Sequence, residues 1–96
     1  MTVDIVSLIP KGGESRITSG EIRALTNMSG ATVRKIVNEK RSTFVPIASD
    51  GDGYFIATKP DELNHTIAQL NSRIHKMIKA REGLKKAQKI MMEANV

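Results

Sequence analysis

Cysteine and tryptophan are absent from this chain of 96 residues, and phenylalanine and tyrosine supply only three aromatic rings. The lack of thiols excludes disulfides and thiolate metal sites, and it fits a reducing compartment. Apolar runs are too short to span a membrane, and the N-terminus lacks the basic-then-apolar layout of a signal peptide. We therefore expect a cytoplasmic protein of one domain, whose small core gains stability from a second copy or a packed helix.

Side chains with catalytic or metal-binding chemistry are few and scattered. His65 and His75 lie ten residues apart, and we interpret them as ordinary surface histidines. Asp50 and Asp52 belong to a turn-forming segment that lacks the bidentate glutamate and the length of a calcium loop. No nucleophile lies in a recognisable catalytic motif. The sequence therefore predicts a protein that is not an enzyme and holds no metal or other cofactor.

The formal net charge is +5, and the basic residues are concentrated in two segments. Residues 30–41 contain four basic side chains and one acidic, and residues 63–96 contain seven basic and two acidic. Residues 42–62, in contrast, contain one basic side chain and four acidic. Clustered cations are typical of proteins that bind polyanions. For the last segment, an ordinary solvated helix face explains the lysines equally well.

The first half of the chain predicts short helices. Apolar residues from Val3 to Ile9 fit a short buried helix that ends before Pro10. Ser19 is a suitable N-cap for a second helix, and the spacing of Ile22 and Leu25 predicts that they share its buried face.

A third helix is predicted after a tight turn. Asn27 tolerates the left-handed backbone that such a turn requires, and the adjacent Met28 is expected to be buried. Ser29 is the expected N-cap of a helix that runs to about Arg41. Its inward-facing residues are Val33, Ile36 and Val37.

Two apolar runs, from Phe44 to Ala48 and from Tyr54 to Ala57, flank the turn-forming residues 49–53 and predict a β-hairpin. Pro46 favours an edge strand, and residues 16–18 are compatible with a further, very short strand. The chain is thus predicted to be mainly α-helical with a small β-hairpin, an α+β fold.

The last predicted helix runs from Asp61 to Ala94 and begins with acidic residues at its positive end. We accordingly expect residues 1–59 to form a compact domain and residues 60–96 a long helix. Arg81 and Gln88 interrupt the apolar stripe of this helix. The stripe recurs on steps of three and four residues: Leu63, Ile67, Leu70, Ile74, Met77, Leu84 and Met91.

The stripe is longer than a small domain can cover, so we expect it to serve two surfaces. Leu63 and Ile67 are assigned to the domain. A homodimer interface of coiled-coil type is assigned to the residues that follow, namely Leu70, Ile74, Met77 and Leu84. Two alternatives remain open: the whole helix packs on its own domain, or it binds a groove on a host protein.

Residues 29–41 carry side chains suited to contact DNA. Small residues at the start of a recognition helix let its backbone approach base edges, and Thr32 adds a hydroxyl and a methyl group. Arg34 fits a guanine or a phosphate, and Asn38 fits an adenine. Lys35 and Arg41 are expected on phosphates. The candidate nucleic-acid-binding residues are Ser29, Gly30, Ala31, Thr32, Arg34, Lys35, Asn38 and Arg41.

The segment from Glu21 to Val37 resembles the helix-turn-helix of winged-helix transcription factors. Asn27 stands where that pattern usually has glycine. Residues 45–47, 53–57, 61–63 and 70–74 are in addition similar to small winged-helix proteins of phages and prophages of Gram-positive bacteria, which end in one long helix. The matching helix-turn-helix residues are Glu21, Ile22, Leu25, Thr26, Met28, Ser29, Thr32, Val33 and Val37.

The resemblance implies a winged helix-turn-helix fold with double-stranded DNA as its partner. It further implies a dimeric regulator of transcription or replication, whose helix 29–41 reads the major groove. The hairpin turn departs from a DNA-gripping wing, because it carries Asp50 and Asp52 and no cation. The alternative function is that of a winged-helix interaction protein, which inhibits or recruits a host protein.

Overall fold

The computed structural model describes residues 4–94. Most of them are helical, with one antiparallel hairpin and a long C-terminal helix, as the sequence predicts. The elements in chain order are helices α1 (Ile5–Leu8), α2 (Ser19–Thr26) and α3 (Gly30–Ser42), strands β1 (Ile47–Asp50) and β2 (Gly53–Ile56), a 3-10 helix (Pro60–Leu63) and helix α4 (Asn64–Ala94).

The chain divides into two units, one that runs to Thr66 and one that begins at Ile67. The hydroxyl of Thr66 is buried, and its Oγ1 accepts a hydrogen bond from Ser49 N at 3.0 Å and donates to Ser49 O at 3.2 Å. The first turn of α4 therefore belongs to the first unit.

Polar side chains define where the early helices begin. Asp4 caps α1 by accepting a hydrogen bond from Val6 N at 3.0 Å, whereas the predicted first residue of this helix, Val3, lies outside the described residues. The predicted N-cap of α2, Ser19, is wrong. Thr18 and Glu21 form a reciprocal capping box instead, so the helix is capped one residue earlier.

The turn between α2 and α3 follows the sequence expectation. Asn27 adopts the left-handed conformation with φ 57° and ψ 19°, and the side chain of Ser29 caps α3 by accepting from Thr32 N at 3.1 Å. Asparagine tolerates this backbone better than other residues with a side chain. Two adjacent residues thus set the direction in which α3 leaves α2.

The core of the first unit is mostly aliphatic. Of the predicted inward-facing residues of α3, Val33 and Val37 are buried in it, and Ile36 packs half-buried against it. The expectation for Leu25 is wrong, because its side chain is 64% exposed. Only Ile22 of α2 is fully buried, and Leu25, three residues later, lies about 60° around the helix from it. Met28 is half-buried against the core. The buried apolar residues are Ile5, Ile9, Ile17, Ile22, Val33, Val37, Ile47, Ala48 and Phe55.

Strand β2 lies between β1 and the N-terminal segment. It pairs with β1 from Ile47 opposite Ile56 to Asp50 opposite Gly53, which leaves a two-residue turn. On its other side, Ile17 forms an isolated antiparallel bridge with Tyr54, so the predicted short strand at residues 16–18 is reduced to one bridge.

The predicted first strand of the hairpin starts too early. Phe44, assigned to that strand, precedes it and is 92% exposed, with a backbone φ of 72°. Its N–H donates to Arg41 O at 3.1 Å, in the turn that ends α3. A bulky side chain rarely adopts a positive φ, so this turn is strained.

Arg16 braces the hairpin turn from outside. Its Nε donates to Asp50 Oδ2 at 2.9 Å, and its guanidinium carbon lies 4.1 Å from the ring centroid of Phe55. The N–H of Asp52 donates to the other carboxylate oxygen of Asp50 at 2.9 Å. This backbone hydrogen bond, followed by the one from Arg16, holds the pKa of Asp50 below its ordinary value.

The last helix begins with a 3-10 turn rather than with the predicted α-helix from Asp61. The carboxylate of Glu62 closes this turn by accepting from the N–H groups of Thr58 at 2.8 Å and Lys59 at 2.9 Å. Leu63 is half-buried, but the expected burial of Ile67 is wrong, since it is 52% exposed. No helix within residues 4–94 combines the length and apolar character that a membrane span requires.

Gly53 provides the first test of this packing. A Cβ on Gly53 would overlap the carbonyl oxygen of Ile17. The φ of Gly53, 128°, also disfavours any residue with a side chain. We expect Gly53→Ala to lower the free energy of unfolding in urea by about 3 kcal/mol. The control Gly51→Ala adds the same methyl group in open space. Equal stability of the two variants would contradict the close approach of the chain at Ile17 to β2.

Phe44 provides a second test. Glycine adopts a positive φ without strain, and the exposed ring makes little packing contact, so Phe44→Gly should raise the free energy of unfolding by about 1 kcal/mol. Phe44→Ala removes the ring but keeps a Cβ, so it should leave stability near the wild-type value. Thermal unfolding of the three proteins measures both effects, and a less stable glycine variant would disprove the strain.

The acid sensitivity of the hairpin provides a third test. Because the pKa of Asp50 is lower in the folded chain, its contribution is present above the ordinary value of 3.8 and is lost as the pH falls through the folded pKa. The free energy of unfolding in urea should therefore change less between about pH 5 and about pH 2 for Asp50→Asn than for the wild type. The control Asp52→Asn replaces an exposed carboxylate of the same turn. Its free energy of unfolding should change between the two pH values as much as that of the wild type.

Candidate nucleic-acid interface

One face of α3 is buried and the opposite face is exposed. Val33 and Val37 point into the core. Residues that are three or four apart lie on the same face of a helix, one above another. The exposed face of α3 is formed by residues at successive steps of four, three and four. Its central residues are Ala31, Lys35, Asn38 and Ser42, all of which are exposed.

Arg34 and Lys35 supply positive charge to the N-terminal half of this face. Both side chains are exposed, and within residues 4–94 neither forms a hydrogen bond or an ion pair. The acidic residue of α3, Glu39, lies one turn beyond Lys35. The cationic part of the face is thus its N-terminal half, where a recognition helix presents side chains to base edges.

Gly30 lies where two arginines meet. A Cβ on Gly30 would lie 3.4 Å from Nη1 of Arg34 and 3.9 Å from Cδ of Arg23. Arg23 belongs to α2, so an arginine side chain from each of two helices passes beside Gly30. The sequence expectation missed Arg23, because its position beside the buried Ile22 gives no sign of proximity to α3.

The small and hydroxylic residues at the start of α3 have a structural task. The Oγ atoms of Ser29 and Thr32 are 2.9 Å apart and share a hydrogen bond, in addition to the cap on Thr32 N. Gly30 is half-buried and Ala31 is exposed. The methyl group of Thr32 and the small side chain of Ala31 remain available for apolar contacts such as thymine methyl groups.

Arg41 differs from the other predicted DNA contacts. Its Nε donates to Ile47 O at 2.8 Å, and its Nη2 donates to Ser49 Oγ at 3.1 Å. The guanidinium thus ties the last turn of α3 to β1, and we correct its assignment from a phosphate contact to a residue that holds the fold. Arg41 is therefore left out of the candidate interface.

The hairpin turn is acidic and only partly neutralised. Asp50 is paired with Arg16, whereas Asp52 is exposed and has no ion pair within the described chain. Carboxylates repel phosphates, so this turn is a poor contact for a nucleic-acid backbone.

The predicted dimerisation residues lie on α4, in the second unit. Leu70 is half-buried, and Ile74, Met77 and Leu84 are 52%, 71% and 71% exposed. They are large apolar side chains on the surface of the single chain.

Among residues 4–94, no three histidine, aspartate or glutamate side chains lie together as metal ligands would. Comparison with known proteins found no family model, no curated protein and no solved structure with significant similarity to this chain. The chemistry of the exposed side chains is therefore the basis on which a function can be argued.

Proposed function

We propose that this protein binds double-stranded DNA as a winged helix-turn-helix protein, with the exposed face of α3 in the major groove. The observation that carries the proposal is the cationic start of α3, where Arg34 and Lys35 have no partner within the described residues and Arg23 joins them. Positive charge next to small side chains is what a helix needs to approach both phosphates and bases.

The side chains divide into two roles. Arg34 can donate two parallel hydrogen bonds to guanine O6 and N7, and Asn38 can pair with adenine N6 and N7. Lys35 and Arg23 act on phosphates, which hold the protein on the duplex without reading its sequence. Bound at a chosen site, the protein would regulate transcription or replication.

The hairpin corresponds to the wing in this proposal but does not grip the backbone. Asp52 would repel phosphates, and Arg16, which lies beside this turn, is already bound to Asp50. DNA contacts are therefore concentrated on α3 and Arg23.

Single alanine substitutions separate the two roles. Duplexes selected from a random pool are titrated with wild-type, Arg34→Ala and Lys35→Ala protein in a shift assay at several salt concentrations. Arg34→Ala should reduce the preference for the selected duplex over random duplex by about 5- to 150-fold, since a bidentate base contact contributes about 1–3 kcal/mol. Lys35→Ala and Arg23→Ala should weaken binding to both duplexes alike and lower the salt slope by about 0.9 each.

Lys11→Ala is the matched control, because it removes one exposed positive charge outside α2 and α3. It should bind as the wild type does, apart from a small uniform loss. Equal binding by the control and the three α2 and α3 variants would disprove the interface. The absence of any duplex binding by the wild type at moderate salt would disprove the function.

Protein binding is the second candidate function, and the exposed ring of Phe44 favours it. Aromatic side chains are enriched among the residues that dominate protein interfaces. This function predicts a stoichiometric protein partner that is lost with Phe44→Ala and retained with Arg34→Ala, together with no affinity for DNA.

A further inference from the structure

Helix α4 carries a seven-residue repeat over the part of it that belongs to the second unit. Ile67, Ile74, Arg81 and Gln88 occupy one position of the repeat, called a. The position three residues later, called d, holds an apolar side chain throughout: Leu70, Met77, Leu84 and Met91. Apolar residues at a and d form the contact stripe of a coiled coil.

This stripe is exposed and has no partner within its own unit. The second unit consists of one helix among the described residues, so nothing else in that unit can cover the stripe. The exposed apolar residues of the stripe are Ile67, Ile74, Met77, Leu84 and Met91, at 52–71% exposure. Long helices draw most of their stability from the packing of an apolar face, which this chain alone does not provide here.

Arg81 interrupts the stripe but its charge lies beside it. Its Nε donates to Glu82 Oε1 at 3.0 Å, and Nη2 forms an ion pair with the same oxygen at 3.0 Å. Glu82 is the next residue along the helix and occupies neither an a nor a d position. Its carboxylate therefore holds the charged end of Arg81 outside the stripe. The methylene groups of its stem remain in line with Met77 and Leu84.

The apolar surface is large enough for a pair of helices. From Ile67 to Met91 the stripe extends about 36 Å at ~1.5 Å per residue. If each of the six large apolar residues at a and d loses about 100 Å² of exposed surface, two copies bury about 1,200 Å², the lower bound of stable interfaces.

We propose that α4 pairs with α4 of a second copy of this chain as a parallel, in-register, two-stranded coiled coil. Isoleucine at a with leucine at d favours two strands over three or four. In this register Gln88 faces the partner's Gln88, and each amide can donate to the other. An antiparallel pair of the same extent would place Gln88 against Leu70 and leave its amide unpaired, which costs free energy.

The mass of the full-length protein in solution tests the pairing without DNA. Light scattering at micromolar concentrations should give twice the chain mass of 10.5 kDa. Ile74→Glu places a charge in the stripe and should give the mass of one chain. Ser72→Glu adds the same charge two residues away on the outer face and should remain dimeric. A wild-type mass of one chain, or of three or four, overturns the proposal, as does an Ile74→Glu variant that stays dimeric.

Introduced cysteines test the orientation, since the chain has none of its own. In the parallel register each d residue faces its copy in the partner, so Leu84→Cys should form an interchain disulfide under mild oxidation. Ser72→Cys, on the outer face, should remain reduced. A dimer in which Leu84→Cys fails to crosslink would overturn the parallel register.

These measurements are independent of the proposed DNA binding. A chain that fails to dimerise but shifts duplex DNA refutes only the pairing of α4. A dimer that binds no duplex refutes only the function assigned to α3.

Discussion

Three elements of the first unit meet at Ser49, and the arrangement of the candidate interface depends on this junction. The backbone N–H and C=O of Ser49 bond the hydroxyl of Thr66, and its Oγ accepts from Arg41. Arg41 also binds Ile47 O. The C-terminal turn of α3, the first hairpin strand and the start of α4 are thereby fixed to one another. Within residues 4–94 every buried side-chain nitrogen or oxygen has a hydrogen-bond partner, so the junction stores no unsatisfied polar group.

Most features set by neighbours in sequence were predictable, although the N-cap of α2 was placed one residue late, whereas several features set by distant packing were not. Asn27 and Ser29 act on backbone within three residues, and their roles as turn residue and N-cap were predicted correctly. The burial of Thr66 and the exposure of Leu25 depend on elements that fold against them, and apolar spacing contains no information about those elements. The strand limits failed for the same reason, since Phe44 fits a strand by type but occupies the turn after α3.

The candidate site follows the same division. The sequence predicted which helix bears small and cationic residues, and the structure leaves Arg34, Lys35 and Asn38 exposed on it. It could not indicate that Arg41 is used within the fold or that Arg23 reaches α3 from another helix. Long cationic side chains fit solvent, an anion or a neighbouring carbonyl equally well, so their role depends on the tertiary surroundings.

Because residue 30 has no side chain, the side chains of Arg23 and Arg34 can both lie beside its backbone. The positive potentials of two neighbouring cations add, so this part of the surface is more positive than either arginine would make it alone. Salt reduces such a potential over a Debye length of about 8 Å at physiological ionic strength. An anion therefore experiences the combined attraction only after it has come within roughly the width of one helix. In the proposed complex with DNA, the two arginines would therefore strengthen the hold on a phosphate already at the surface and add little to its capture from a distance.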